Sequence, residues 1–265
     1  MKLYTQTSGT GPDLVLVHGW GLHGGIWDEF APLLESVFRV TRVDLPGHGC
    51  SHWDGRGELD DWVDAALGSV PVPAAWLGWS LGALVATRAA LRAPERVTAL
   101  ASIAGSPCFV RRPGWQSAML PDLLETFAAE LEADYSRTLN RFLALQVRGS
   151  EHSGAVLRLL RSRLLAHGEP VTAALRAGLD ILRDTDLRAV VAGIDCPVLL
   201  VAGERDTLVP VAAARAAAAL YPDARLLVID GAGHAPFIAR PRTTAAVVHD
   251  FLDPRRSRQT GQWHG

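Results

Sequence analysis

The feature that most constrains this chain is a glycine-flanked serine at residues 78–82, which read Gly-Trp-Ser-Leu-Gly. The apolar run Ala74–Leu77 comes directly before it, and an apolar stretch near Leu81–Leu91 follows. This order predicts a strand, a turn too tight for larger flanking residues, and a helix, with Ser80 held at the corner. The positive end of that helix would face any negative charge that develops beside the serine hydroxyl. The motif therefore indicates acyl transfer through a serine ester.

Short apolar runs alternate with longer helical patterns along the chain, which favours a mostly parallel sheet flanked by helices. Chemically active residues are then expected at the carboxyl ends of the strands. Together with the serine turn, this pattern predicts an α/β-hydrolase fold. The candidate strands are Leu14–His18, Val37–Val43, Ala74–Leu77, Val97–Ile103, Val198–Ala202 and Arg225–Ile229.

The stretch from Cys108 to Val190 interrupts this alternation, because it is long, lacks a convincing strand and has helical periodicity. Leu139, Phe142, Leu143 and Gln146 fall on one face of a helix at spacings of three and four residues. We expect a helical cap at 108–190, inserted into a core formed by residues 1–107 and 191–254. Residues 255–265 are polar and unpatterned, which predicts a flexible tail.

Composition narrows the class of protein. The net charge of −2 gives no general preference for nucleic acid. The three cysteines are widely spaced, which predicts neither disulfides nor a metal site and fits a cytoplasmic protein. Residues 65–87 lack charge, but prolines and glycines interrupt them, so we expect no membrane span. No signal-peptide core is evident near the N-terminus.

A serine nucleophile needs a base and a carboxylate that orients it, and in this fold the chain order is serine, acid, histidine. Asp206 follows the strand at Val198–Ala202, and His234 lies in a glycine-rich loop after the last strand. The Leu81 and Trp20 amides are the expected oxyanion donors. Taken singly, Ser80 is also compatible with a helix N-cap, His234 with a loop histidine, and Asp206 with a turn residue, with Glu204 as a weaker rival.

Six arginines lie between Tyr135 and Gly168, where Glu151 is the sole acidic residue. Arg137 and Arg141 are one helical turn apart, as are Arg158 and Arg161, so each pair shares a helix face. Two interpretations remain open: a solvated surface in an arginine-rich protein, or a docking patch for an acidic partner or a phosphate.

Several longer motifs resemble the family of pimeloyl-[acyl-carrier protein] methyl ester esterases, and the resemblance covers nearly the whole chain except the last ten or so residues. The Gly78–Gly82 motif, Asp206 and His234 are common to the whole α/β-hydrolase superfamily and do not distinguish this family. The more specific matches are His18-Gly19-Trp20-Gly21-Leu22, Trp76-Leu77-Gly78-Trp79-Ser80-Leu81-Gly82, the cap segment Arg137–Gln146, Gly178–Leu182 and His234–Ile238.

The resemblance implies a cytoplasmic monomer without cofactor or metal that hydrolyses the methyl ester of pimeloyl-acyl-carrier protein. It implies Ser80 as nucleophile, His234 as base and Asp206 as its orienting acid. Residues implied to line the oxyanion and substrate site are Trp20, Leu81, Phe142, Leu143, Ala144, Leu145 and Gln146. Those implied to contact the carrier protein are Arg137, Arg141 and Arg158.

One departure is Gly154, which stands where the family pattern leads us to expect another arginine that contacts the carrier. The alternatives that keep the same three catalytic residues are a generic short-chain carboxylesterase and another cap-bearing hydrolase, such as one that cleaves carbon–carbon bonds.

Overall fold

The computed structural model describes residues 1–164 and 166–253. Seven strands form one sheet in the order β1-β3-β2-β4-β5-β6-β7, and all neighbours are parallel except β1 and β3. The predicted mostly parallel sheet is therefore confirmed. The strands are β1 Thr5–Ser8, β2 Asp13–Val17, β3 Arg39–Val43, β4 Ala74–Trp79, β5 Val97–Ile103, β6 Val198–Gly203 and β7 Ala224–Ile229.

Strands β4 and β6 are apolar throughout because both faces of the sheet are covered there. Every residue of β4 and of β6 is buried, as parallel sheets between helical layers require. The edge strand β1 was not predicted: its sequence Thr-Gln-Thr-Ser has no buried residue and so gives no hydrophobic pattern. It pairs antiparallel with β3, with Thr5 opposite Val43.

Nine α-helices occur in the described part of the chain. They are α1 Leu59–Leu67, α2 Leu81–Arg92, α3 Pro121–Ala133, α4 Tyr135–Gln146, α5 Ser153–Arg163, α6 Thr172–Asp184, α7 Val211–Ala218, α8 Pro236–Ala239 and α9 Pro241–Leu252. None of these has the length and apolar character that crossing a bilayer demands. The tail predicted at 255–265 lies outside the described residues.

Four of the helices, α3 to α6, lie between β5 and β6, which are neighbours in the sheet. The predicted apolar face of α4 is confirmed, because Leu139, Phe142, Leu143 and Gln146 are all buried. The first residues after Cys108 differ from the helical expectation. They form extended bridges, Cys108 with Asp186 and Val110 with Met119, before α3 begins.

The inserted helices contact loops at the carboxyl ends of two strands. The indole Nε1 of Trp20, three residues after β2, donates to the Leu175 carbonyl of α6 at 2.7 Å. The N–H of His234, in the loop after β7, donates to the Gln146 carbonyl of α4 at 3.0 Å. The insertion therefore lies over the strand ends where the candidate site residues gather.

Candidate active site

Ser80 occupies the corner between β4 and α2 in an unusual backbone conformation, with φ of 55° and ψ of −117°. The corner needs glycine on both sides. A Cβ on Gly78 would lie 2.2 Å from the Gly82 carbonyl oxygen, and a Cβ on Gly82 would lie 2.3 Å from that of Val17. The Ser80 N–H donates to the Ile103 carbonyl at 3.0 Å, which ties the corner to the end of β5. The sequence motif and the geometry agree.

Three predicted site residues come together in a hydrogen-bonded chain. The Oγ of Ser80 lies 2.9 Å from Nε2 of His234, and Nδ1 of His234 lies 2.7 Å from Oδ2 of Asp206. All three residues are buried. An ionised Asp206 only accepts hydrogen bonds, so Nδ1 of His234 carries the proton and Nε2 is free to accept the Ser80 hydroxyl proton.

The Asp206 carboxylate is itself fixed by backbone donors. Its Oδ1 accepts from the N–H groups of Leu208 at 2.8 Å and Val209 at 3.0 Å. The rival carboxylate, Glu204, instead accepts from the Gly231 N–H at 2.9 Å and is half exposed. The structure therefore brings Asp206, and not Glu204, to the imidazole.

The backbone of His234 is bound on both sides. Its N–H donates to the Gln146 carbonyl, and its carbonyl accepts from Nε1 of Trp79 at 2.7 Å. Trp79 directly precedes Ser80, so one indole links the nucleophile strand to the histidine loop. The preceding Gly233 approaches Gly203 closely, since a Cβ on Gly203 would lie 2.0 Å from the Gly233 carbonyl oxygen.

The two expected oxyanion residues sit at neighbouring strand ends. Leu81 is the first residue of α2, and Trp20 follows β2; both are buried. His18 shapes the Trp20 loop, a role that sequence reasoning missed: its Nε2 accepts from the Leu45 N–H at 2.9 Å, and its Nδ1 donates to the Gly19 carbonyl at 2.8 Å. Burial holds the pKa of His18 well below its ordinary value, so the ring is neutral.

The predicted substrate-lining residues on α4 do not all face the interior. Phe142, Leu143 and Gln146 are buried, and the Phe142 ring packs edge-on against Trp20 with centroids 4.8 Å apart. Ala144 is exposed and Leu145 is half-buried. Each helical residue turns about 100° from the last, so five consecutive residues cannot share one face. Ala144 is not brought to the buried side with the others.

The predicted carrier-contact arginines differ in their surroundings. Arg137 and Arg158 are exposed and have no ion pair within the described residues. Arg141 pairs with Glu130 of α3, and its guanidinium lies 5.2 Å from the centroid of the Phe127 ring. Arg163 pairs with Asp28 of the core at 2.7 Å. The cluster counted along α4 and α5 is thus partly neutralised by acids from elsewhere in the chain.

His23, Asp44 and His167 place three potential metal ligands within 4.8 Å of one another, a cluster that the sequence spacing did not suggest. Their hydrogen bonds oppose a metal site. Nδ1 of His23 accepts from the Gly25 N–H, while Nε2 donates to the Arg163 carbonyl at 2.5 Å. The His23 and His167 rings are stacked 4.0 Å apart, so their in-plane lone pairs do not converge on one ion. We interpret the cluster as structural.

The sheet and the arrangement of Ser80, His234 and Asp206 define a protein of the α/β-hydrolase class. The family model described as alpha/beta hydrolase fold matches residues 12–241. A solved esterase from Exiguobacterium antarcticum superposes with a TM-score of 0.83 at 21% identity, covering 94% of this chain and 95% of that chain, which shows the shared fold.

Closer relatives identify the family within this class. A Methylococcus capsulatus protein named pimeloyl-[acyl-carrier protein] methyl ester esterase is 45% identical over 252 residues, 95% of this chain and 99% of its own. A Xanthomonas campestris pv. campestris protein of the same name is 46% identical over 253 residues, 94% of this chain and 98% of its own. The chain belongs to the family of pimeloyl-[acyl-carrier protein] methyl ester esterases.

Proposed function

We propose that this protein is a serine carboxylesterase that hydrolyses the methyl ester of pimeloyl-[acyl-carrier protein], releasing methanol and pimeloyl-acyl-carrier protein for biotin synthesis. The observation that carries the proposal is the hydrogen-bonded chain from Ser80 through His234 to Asp206, with distances of 2.9 and 2.7 Å, in a chain with nearly full-length relatives of that name.

The proposed reaction uses protein groups and water alone. His234 takes the hydroxyl proton of Ser80 as Oγ attacks the ester carbonyl, and the Trp20 and Leu81 N–H groups stabilise the oxyanion. The protonated imidazole then transfers its proton to the departing methoxide, which leaves as methanol. Water, deprotonated by His234, attacks the acyl-enzyme and restores Ser80. Asp206 stays ionised and stabilises the imidazolium in both steps.

We further propose that α3 to α6, in the insertion at 108–190, act as a cap over the site. The support is that Ser80 is only 2% exposed, and that α6 and α4 accept hydrogen bonds from Trp20 and His234 at the neighbouring strand ends. In this proposal, movement of the inserted helices away from the strand ends admits the substrate to the serine hydroxyl. The acyl chain then lies between Trp20 and the buried face of α4.

The partner in this proposal is the acidic acyl-carrier protein, bound at the arginines of α4 and α5. Arg137 and Arg158 are exposed and free of ion pairs within the part of the chain that the structure describes. Arg141 contributes less, since it already pairs with Glu130. Exposed charges at the edge of an interface speed the association of the two proteins and make its rate sensitive to salt.

The test compares hydrolysis of methyl pimeloyl-acyl-carrier protein with that of a small free methyl ester, at low and high salt. We expect a strong preference for the carrier substrate that high salt removes, and Ser80→Ala should abolish turnover of both substrates. Equal and salt-insensitive rates would instead indicate a generic carboxylesterase. Appreciable esterase activity in Ser80→Ala would contradict the assignment of the nucleophile.

A further inference from the structure

Glu151 joins the loop between α4 and α5 to the core at three points. Its backbone N–H donates to the Gly231 carbonyl at 2.8 Å. Its Oε1 accepts from Arg205 at 3.1 Å, and its Oε2 accepts from Arg240 at 2.5 Å. One acidic residue of the loop between α4 and α5 therefore contacts the loop after β6, the loop after β7 and the segment after α8.

These three contacts surround the residues that align the imidazole. Arg205 directly precedes Asp206, Gly231 comes three residues before His234, and Arg240 follows the short helix α8 that begins just after His234. The Arg205 side chain also approaches the Gly149 carbonyl at 3.5 Å, in the same connecting loop. Movement of Glu151 would therefore displace the loops that carry Asp206 and His234.

Gly231 is the tightest of the contacts. It has φ of +69°, and a Cβ there would lie 2.6 Å from Cδ of Glu151, so the glycine backbone packs directly on the carboxylate. Its N–H donates to Glu204 and its carbonyl accepts from Glu151, which holds the peptide from both sides.

We propose that Glu151 is a positioning residue that, by binding Arg205 and Arg240, holds the Asp206 and His234 loops so that the imidazole stays aligned with Ser80. The proposal depends on the ester hydrolysis proposed above. It does not depend on which acyl group or carrier is used.

Because these ion pairs are partly exposed, we expect their loss to change the position of the catalytic groups more than the stability of the protein. The side chains of Glu151, Arg205 and Arg240 are 41%, 44% and 36% exposed. Ion pairs as exposed as these contribute little to the free energy of unfolding. A small displacement of a catalytic group, in contrast, strongly lowers the rate of the chemical step.

The test is Glu151→Gln, assayed on a small p-nitrophenyl ester, with Glu132→Gln as the matched control. Glu132 also pairs with an arginine, Arg176 at 2.6 Å, but within the inserted helices and away from the histidine loop. For Glu151→Gln we expect kcat to fall by roughly tenfold with KM nearly unchanged and Tm close to the parent value. The rate at which a fluorophosphonate labels Ser80 should fall in parallel, whereas Glu132→Gln should match the parent in every readout.

Arg240→Gln removes one of the two ion pairs from the other side and keeps the test decisive if Glu151→Gln fails to fold. Combining both changes should cost less in kcat than the product of the single losses, because they disrupt one network. A parental kcat in Glu151→Gln, or a change in KM with kcat unaffected, would overturn the proposal. If the parent protein itself fails to hydrolyse esters, the proposed function fails instead, so the two failures are distinguishable.

Discussion

At the residue scale, the candidate site depends on a few backbone positions held in conformations that side chains resist. Ser80 is a non-glycine residue at positive φ, a state that costs about 1–3 kcal/mol and persists where its surroundings enforce it. Here the enforcing contacts are the Ile103 carbonyl and the close approach of Gly82 to β2. The strain keeps the hydroxyl beside Nε2 of His234.

Gly82→Ala should strongly destabilise the protein, because the new Cβ would lie 2.3 Å from the Val17 carbonyl oxygen within the buried sheet. We expect a loss of several kcal/mol, about the upper end of single-residue effects, measured by urea unfolding. The control is Gly154→Ala, where the nearest atom to the added Cβ is the flexible Arg158 guanidinium at 3.7 Å. A parental unfolding midpoint in Gly82→Ala would contradict the argument that the corner between β4 and α2 requires glycine at residue 82.

Asp206→Asn should lower kcat by roughly 10⁴-fold while leaving the fold intact, since an amide donor beside Nδ1 favours the imidazole tautomer with its proton on Nε2. That tautomer can no longer accept the Ser80 proton. Steady-state kinetics on a small ester measure the loss, and circular dichroism checks the fold. If Asn at this position supports near-parental turnover, Asp206 does not orient His234.

At the element scale, helix α4 has one face packed against the core and the opposite face exposed to solvent. Its buried face carries Phe142 against Trp20, and its C-terminal carbonyl at Gln146 accepts from His234. Its exposed face carries Arg137 and Arg141. One helix therefore lies between the proposed docking surface and the proposed catalytic base.

Charge reversal at Arg137 and Arg158 together should lower kcat/KM for the carrier-bound ester by about tenfold and flatten its salt dependence, because rim charges act mainly on association. Hydrolysis of a small free ester should be unchanged. Arg215→Glu is the control, an exposed arginine on α7 outside the insertion. Equal losses on both substrates would contradict carrier docking at this surface.

The elements that the sequence predicted are those whose buried residues are apolar and local in spacing. The central strands and the apolar face of α4 are of this kind, and so is the Gly78–Gly82 corner, where sterics leave little choice of residue. Edge strand β1 gives no such signal, because its side chains are polar and its pairing with β3 is non-local.

The features that the sequence did not predict depend on interactions between segments that are distant along the chain. Along the sequence, Arg141 lies in a stretch where Glu151 is the sole acid, yet Glu130 of the preceding helix pairs with it. The sequence marks Glu151 only as the sole acid among arginines, and its two partners lie 54 and 89 residues away. The family resemblance groups Ala144 with its neighbours as substrate-lining, but helix geometry places Ala144 on the exposed side. No local pattern encodes these pairings.

At the scale of the whole molecule, several histidines are buried in neutral form beneath the insertion. Burial lowers the pKa of His48 to about 4 and that of His18 well below 6.5. The pKa of His23 is also lowered, through burial and the nearby His167. These rings lie close together, with His18 and His48 centroids 5.3 Å apart.

The free energy of unfolding should therefore fall as pH drops from about 6.5 towards 4. In this window the unfolded chain binds protons that the folded protein does not, so stability rises with pH. His48 alone should cost roughly 2–3 kcal/mol at pH 4.5, from its pKa of about 4 against 6.5. Urea unfolding across this range measures the slope. His48→Asn should reduce the slope and His152→Gln, at an exposed site, should not; equal slopes in all three proteins would contradict the argument.

The insertion leaves the sheet after β5 and returns at β6, which is the next strand over. Its two ends are therefore anchored side by side whatever the length or shape of the excursion between them. A foreign cap could be transplanted here without altering the order of the strands. The new segment would have to supply two hydrogen-bond acceptors: one carbonyl for the buried N–H of His234 and another for the indole N–H of Trp20. Each buried donor left without an acceptor would cost about 1–3 kcal/mol of stability. In the proposed cap role, libraries of inserted segments that keep these two acceptors would vary the acyl preference while the strand order stays unchanged.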